Sequence, residues 1–233
     1  MTDDGMVHGT WHGSWCWKRV RQRLTAEGYQ VFTPTLTGLG ERGHLLSRDV
    51  SLDTHIADVV NLLLWEDLRD IVLVGHSYGG IVVRPVADPW PDRVRSLVSL
   101  DAFIPEDGTS VLDSLPDSGK AMRKLARTQG DGWKVPPIPA SVCAVNATDA
   151  VWVDRQCTMQ PLSSLEAAAR LSGRCGTVAT IGYILASGWE DSLFRQFYEL
   201  AGQRRWWREE LACGHDVMLD MPDELAALLL QRT

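Results

Sequence analysis

Long apolar runs are missing from this chain of 233 residues. None approaches the roughly 20 residues that span a bilayer, so the sequence offers no transmembrane segment. An excess of basic charge is missing too. Lys and Arg number 23 against 30 Asp and Glu, for a net charge of −7 and a pI near 5.3, which argues against nucleic acid or an anionic membrane surface as partner. Cysteine is sparse and odd in number, at five. With no C-x-x-C, neither a disulfide framework nor a zinc site is indicated, and reduced thiols are expected. The stretch Met1-Thr2-Asp3-Asp4-Gly5 has neither the basic nor the apolar region of a signal peptide, and the expected location is cytoplasmic. There are no internal repeats and no long linker. His8, His12 and His44 have no acidic or cysteine partners at metal-ligand spacing, so neither metal nor cofactor is expected. Gly38-Leu39-Gly40-Glu41-Arg42-Gly43 superficially invites a dinucleotide reading, but it opens no obvious βαβ unit.

What remains is a globular composition, 45% hydrophobic and 23% charged, with ten tryptophans. The length suits one α/β domain with an inserted cap. Everything is organised around Gly75-His76-Ser77-Tyr78-Gly79-Gly80. It follows the β-branched run Ile71-Val72-Leu73-Val74, a buried parallel strand by its pattern, and precedes Ile81-Val82-Val83, the start of a helix. G-x-S-x-G between strand and helix is the pattern of a nucleophile elbow. The serine can stand on so strained a turn only if its neighbours at −2 and +2 leave room, and Gly75 and Gly79 have no Cβ. The turn lifts the Ser77 hydroxyl above the sheet and directs the Tyr78 N–H, at a helix N-terminus, toward a developing oxyanion.

Upstream, Met6 and Val7 precede His8-Gly9, and the first strand reads as short because Thr2-Asp3-Asp4-Gly5 is poor in apolar residues. A sharp turn after the H-G pair would free the Thr10 N–H as the second oxyanion donor. His8 and His12 read as structural histidines. Residues 17–27 have helical spacing with Gly28 as a stop, 29–33 alternate like a strand, and 52–64 form an amphipathic helix with His55 on its surface. Val94 to Leu100 is the next strand and ends in Asp101, at a position where parallel α/β sheets keep their sites. Proline-interrupted residues 106–175 read as a mostly helical cap with short helices over 111–126 and 162–171. Residues 1–105 and 176–233 then form the core. Trp133, Trp152, Met122 and Met159 are candidates to face substrate from the cap, as is Trp11 from the core. Thr177 to Leu185 returns to a strand pattern, Trp206-Trp207 begin or flank the last strand, and the final helix starts near Pro222.

A serine hydroxyl needs a base at pH 7. Of the six histidines only His215 lies late in the chain, in a loop between a strand and the last helix, and the order Ser…His suits an α/β hydrolase. The triad acid is open between Asp101, at a strand end, and Glu190 or Asp191, in the loop after the penultimate strand. Asp101 is preferred because no aspartate sits cleanly at that strand's end.

The segments His8-Gly9-Thr10-Trp11-His12-Gly13-Ser14-Trp15-Cys16-Trp17, Gly75-His76-Ser77-Tyr78-Gly79-Gly80 and Gly214-His215-Asp216 resemble the plant methyl-esterase and hydroxynitrile-lyase group of α/β hydrolases. T-L-T-G-L-G-E-R and L-D-A-F-I-P-E-D-G resemble its bacterial esterase-like relatives. The resemblance implies an α/β-hydrolase fold, a mostly parallel central sheet flanked by helices under a helical cap. It also implies catalytic Ser77 and His215 and oxyanion donors at Thr10 and Tyr78. The acid departs from the plant pattern; relatives of haloalkane-dehalogenase type keep theirs where Asp101 lies. The expected function is a serine hydrolase acting on a small ester, carbamate or thioester through an acyl-enzyme. A lyase or a cyclase of secondary metabolism is the alternative, and a non-catalytic ligand-binding relative is a further one. Asp216 stands where the lyases have a lysine that helps hold cyanide, so a hydroxynitrile lyase ranks lower. The expected partner is a small-molecule substrate, and oligomeric state is left open, homodimer included.

Overall fold

The computed structural model describes residues 3–189 and 192–233. Its frame is a six-stranded sheet in the order β2-β1-β3-β4-β7-β8 with every pairing parallel. The strands are β1 (Asp3–Val7), β2 (Gln30–Phe32), β3 (Ile71–His76), β4 (Val94–Leu100), β7 (Thr180–Ala186) and β8 (Trp207–Leu211); β5 (Lys134–Val135) and β6 (Gln160–Pro161) form a separate antiparallel pair. The helices are α1 (Lys18–Ala26), α2 (Leu52–Trp65), α3 (Gly79–Ala87), α4 (Val111–Ser114), α5 (Pro116–Gln129), α6 (Ala147–Gln156), α7 (Leu162–Glu166), α8 (Arg195–Gln203), α9 (Val217–Asp220) and α10 (Pro222–Arg232).

Period-2 alternation divides the core. Ile71 and Leu73 of β3 point into one apolar layer with Val59 and Leu63 of α2 and Ile81 of α3. Val72 and Val74 point into the other, with Val20 and Leu24 of α1 and Leu225 and Leu229 of α10. Both faces of the sheet are therefore covered, which is why all six residues of β3 are buried. Such a sheet ends all its strands at one edge, and Val7, His76, Leu100 and Ala186 bring their following residues there together.

The first strand is longer than its composition suggests. Asp3, Asp4 and Gly5 pair with β2 on one side, and Asp4 to Val7 with β3 on the other; two backbone ladders hold what side chains would not predict. Asp4 is buried. Burial pushes its carboxyl up to about 7, against the opposing pull of Arg95.

Residues 106–175 also depart in detail. The stretch 111–126 is two helices broken at Leu115, with Ser110 capping the first and Pro116 opening the second. Only Leu162–Glu166 of the second predicted helix is helical. Helix α6 is absent from the sequence reading; its N-cap is Asn146, whose side chain accepts the Asp149 N–H.

Candidate active site

Ser77 occupies the turn between β3 and α3 with a φ of 53°, a left-handed conformation that costs a non-glycine residue energy. The turn is held on both sides. The Ser77 N–H donates to the Leu100 carbonyl, and the Ser77 carbonyl accepts from Gly80 and Phe103. A Cβ on Gly75 would stand 2.6 Å from the Gly79 carbonyl oxygen, and one on Gly79 would stand 2.5 Å from that of Val7. The two glycines let strand and helix close around the serine.

His215 lies in the loop between β8 and α9. Its N–H is held by the Cys143 carbonyl and its own carbonyl accepts from His76 Nε2 at 3.0 Å. The ring stacks on Phe194, with centroids 4.9 Å apart and planes within 6°, and Trp189 lies 5.2 Å away. Its Nδ1 is 2.7 Å from Asp101 Oδ2. A carboxylate only accepts, so Nδ1 is the donor. Asp101 is fully buried at the end of β4 with a φ of 41°. Its N–H donates to Ile184, and its Oδ1 accepts from the Ala186 N–H at 3.2 Å. The next residue is clamped by the Tyr183 hydroxyl, which accepts the Ala102 N–H and donates to the Ala102 carbonyl. Glu190 and Asp191, the competing acids, lie outside the described residues.

Ser77 and His215 line one narrow cavity of about 80 Å³, together with Thr10, Trp11 and Asp216. Among the described residues Ser77 Oγ makes no hydrogen bond, and no protein acceptor takes the Thr10 or Tyr78 N–H. Apolar residues of the 106–175 segment, among them Val111, Met122, Cys143 and Val153, line it as well. Trp11, expected against substrate, does line the cavity; its φ is 66° and its indole donates to the Val135 carbonyl. Trp133 and Trp152 do not line it. The Arg48 and Lys134 cations each lie over the Trp133 ring, and Trp152 packs edge-on to Trp15. Both indoles are occupied by partners outside the cavity. Met122 lines it but Met159 does not.

The histidines divide by protonation. His8 donates through Nδ1 to the Gly9 carbonyl and accepts the Leu36 N–H at Nε2, and burial pulls its pKa down to about 3. His55 is wholly buried rather than on the surface of α2. It donates to the Thr37 carbonyl and accepts from the Tyr78 hydroxyl, and burial lowers its pKa to about 4. His76 is neutral for the same reason, reinforced by His215. His12 is the exception. Burial works against its charge, yet Asp216 raises its pKa, with Nε2 3.1 Å from Asp216 Oδ2 and Nδ1 2.7 Å from the Thr10 carbonyl. This second His–Asp pair escaped the sequence reading. Its signal was an aspartate directly after His215 and a histidine two residues after Thr10.

Comparison with known proteins gives the family and the fold. A family model described as "Alpha/beta hydrolase family" matches residues 6–228. A carbendazim hydrolyzing esterase of Nocardioides sp. (strain SG-4G) is 43% identical over 236 aligned positions, covering 96% of each chain. Methylesterase 7 of Arabidopsis thaliana is 34% identical over 103 residues, 43% of this chain and 40% of its own. Among solved structures, an extracellular alpha/beta-hydrolase from a Paenibacillus species superposes with a TM-score of 0.86 at 23% identity, covering 100% of this chain and 99% of its own.

Proposed function

Because the chain belongs to the alpha/beta hydrolase family, we propose that it is a serine esterase cleaving a small ester or carbamate through a Ser77–His215–Asp101 triad. The observation that carries this reading is the 2.7 Å bond between His215 Nδ1 and Asp101 Oδ2 beside a serine strained onto the shared cavity. Ester cleavage also agrees with the names of relatives, a carbendazim hydrolyzing esterase and methylesterases.

The chemistry follows from the protonation states. His215, with Nδ1–H given to Asp101, takes the Ser77 proton at Nε2 as Oγ attacks the carbonyl carbon. Charge moves onto the carbonyl oxygen, where the Thr10 and Tyr78 N–H groups receive it; one such donor is worth roughly 10²–10³ in rate. His215 then protonates the departing alcohol, and water activated by the same nitrogen releases the acyl group. Thr10 is held for this by His12, whose Nδ1–H fixes its carbonyl. The 106–175 segment serves as a cap that selects substrate by shape. No step calls for a metal or cofactor. A cytoplasmic location, part of the same proposal, is supported by five free thiols.

A hydroxynitrile lyase is disfavoured by Asp216. Burial works upward on its carboxyl, but the His12 charge prevails and holds it well below the usual range, so a carboxylate already paired to His12 stands in the cavity lining where those lyases have a lysine that helps hold cyanide. The test is a fluorophosphonate probe and a short p-nitrophenyl ester on wild type and Ser77→Ala. Labelling and release are expected in wild type and neither in the variant. Appreciable hydrolysis by a folded Ser77→Ala protein removes Ser77 from the mechanism.

A further inference from the structure

The Thr10 N–H belongs to the first of two consecutive peptides, Gly9–Thr10 and Thr10–Trp11. The other polar groups of that pair are tied to side chains. The Gly9 carbonyl accepts from His8 Nδ1 at 2.9 Å, and the Thr10 carbonyl from His12 Nδ1 at 2.7 Å. The Trp11 N–H donates to Gln160 Oε1 at 3.2 Å. The two histidines lie on the same loop as the peptides they hold. Gln160 comes from the 106–175 segment, 149 residues further on.

The same stretch of that segment takes the remaining polar groups of Trp11. The indole N–H donates to the Val135 carbonyl at 3.1 Å, and the Trp11 carbonyl accepts the Thr158 N–H at 2.9 Å. Val135 and Gln160 face one another in the β5–β6 ladder, so two facing residues receive both donors of one tryptophan. The Gln160 amide is itself fixed. A backbone N–H only donates, so the amide turns its oxygen to Trp11 and its NH₂ to Ser164 Oγ at 2.6 Å, and that hydroxyl donates to the Pro161 carbonyl at 2.7 Å. Gln160 and Ser164 are fully buried, so removing the amide leaves the Trp11 N–H without a partner. Trp11 has a φ of 66°, a left-handed conformation that a tryptophan keeps only where its surroundings over-determine it. Relaxing that angle turns the Thr10–Trp11 peptide, and the Thr10 N–H stands one residue before it.

Resting on the serine-esterase reading, we propose that Gln160 is a positioning residue for the oxyanion hole. It holds Trp11 in its strained turn and so aims the Thr10 N–H at the oxygen of the carbonyl that Ser77 attacks. Gln160 does not line the cavity; it acts through Trp11.

The test compares Gln160→Met, which keeps the length of the side chain and removes both hydrogen-bonding groups, with Gln160→Glu, which keeps an acceptor for the Trp11 N–H. The readouts are kcat and KM on a p-nitrophenyl ester, counted per serine labelled by a fluorophosphonate, and inhibition by trifluoroacetophenone, a ketone whose adduct with Ser77 carries an oxyanion. Gln160→Met is expected to lose about ten- to a hundredfold in kcat, less than outright deletion of a donor, with KM nearly unchanged. Inhibition should weaken by the same factor, and Gln160→Glu should recover most of both. A merely structural role lowers the number of labelled serines and moves neither figure. Wild-type kcat and inhibition in Gln160→Met overturn the proposal, as does a loss carried by KM or a folded Gln160→Glu protein as slow as Gln160→Met. If Gln160→Met does not fold, Ser164→Ala, which removes only the anchor of the amide, should show the same pattern in smaller measure, and its absence is equally decisive. Amide hydrogen exchange at Trp11, read by NMR, should quicken in Gln160→Met and not in Gln160→Glu. A wild type that is neither labelled nor active would sink the esterase reading instead, and the hold of Gln160 on Trp11 would then stand or fall by the exchange rates alone.

Discussion

Asp101 uses both carboxylate oxygens as acceptors, Oδ2 for the His215 Nδ1–H and Oδ1 for the Ala186 N–H. An asparagine there must point its NH₂ at one of two donors. Turned toward His215, it forces the ring into the tautomer with hydrogen on Nε2, which cannot take the Ser77 proton. Asp101→Asn is accordingly expected to lower kcat by about 10⁴, as tautomer reversal does in other triads, with KM little changed. Steady-state kinetics on a methyl ester measure this. A larger loss in Glu190→Gln than in Asp101→Asn would transfer the acid to the other loop. Single residues were legible in the sequence where a motif fixed their surroundings. Ser77 was, because G-x-S-x-G between strand and helix admits few other readings, and the end of β4 pointed to Asp101. His55 was not, since the helical pattern that put it on a surface says nothing of Tyr78 and Thr37 closing over it. The roles of Trp133 and Trp152 were not legible either, because they depend on side-chain direction in an irregular segment.

At the scale of elements, the site depends on how closely β1 and α3 approach. A Cβ at Gly79 would lie 2.5 Å from the Val7 carbonyl oxygen and 3.1 Å from that of His8. These are backbone atoms of β1 and of the residue that follows it, and they cannot swing away as a flexible side chain would. Gly79→Ala should therefore cost about 3 kcal/mol of stability, read from urea unfolding, and displace the Tyr78 N–H with it. Gly43→Ala is the control. A Cβ there meets nothing within 4 Å, and its effect should stay within about 0.5 kcal/mol. A loss at Gly43 equal to that at Gly79 would remove the close-approach argument. The core elements were legible to within a few residues because buried parallel strands and amphipathic helices have strong periods. Strand β1 was read short because its ends are held by ladders on both sides rather than by apolar side chains. Helix α6 was missed because three acidic or basic side chains, Asp149, Asp154 and Arg155, interrupt its apolar pattern.

For the whole molecule, the buried titratable groups set opposing pH dependences. His8, His55 and His76 have pKa values below the ordinary 6.5, so the unfolded chain binds their protons first. Their contribution to stability is present above about pH 6.5 and is lost as the pH falls toward 4. Asp4 works the other way. Burial lifts its pKa from 3.8 to about 7, so between those values the folded chain holds a proton that the unfolded chain releases. Its contribution is present below pH 3.8 and is lost as the pH rises toward 7. Three groups oppose one between pH 4 and 6.5, and the melting temperature should fall on acidification through that window. Asp4→Asn removes the opposing member. It should raise stability at pH 8 by about 1–3 kcal/mol, leave it nearly unchanged at pH 4, and steepen the slope between. Thermal melts of both proteins at half-unit pH steps would show it. Parallel curves separated by a constant would mean that Asp4 is ionised in the fold at every pH tested, with the Arg95 charge outweighing burial.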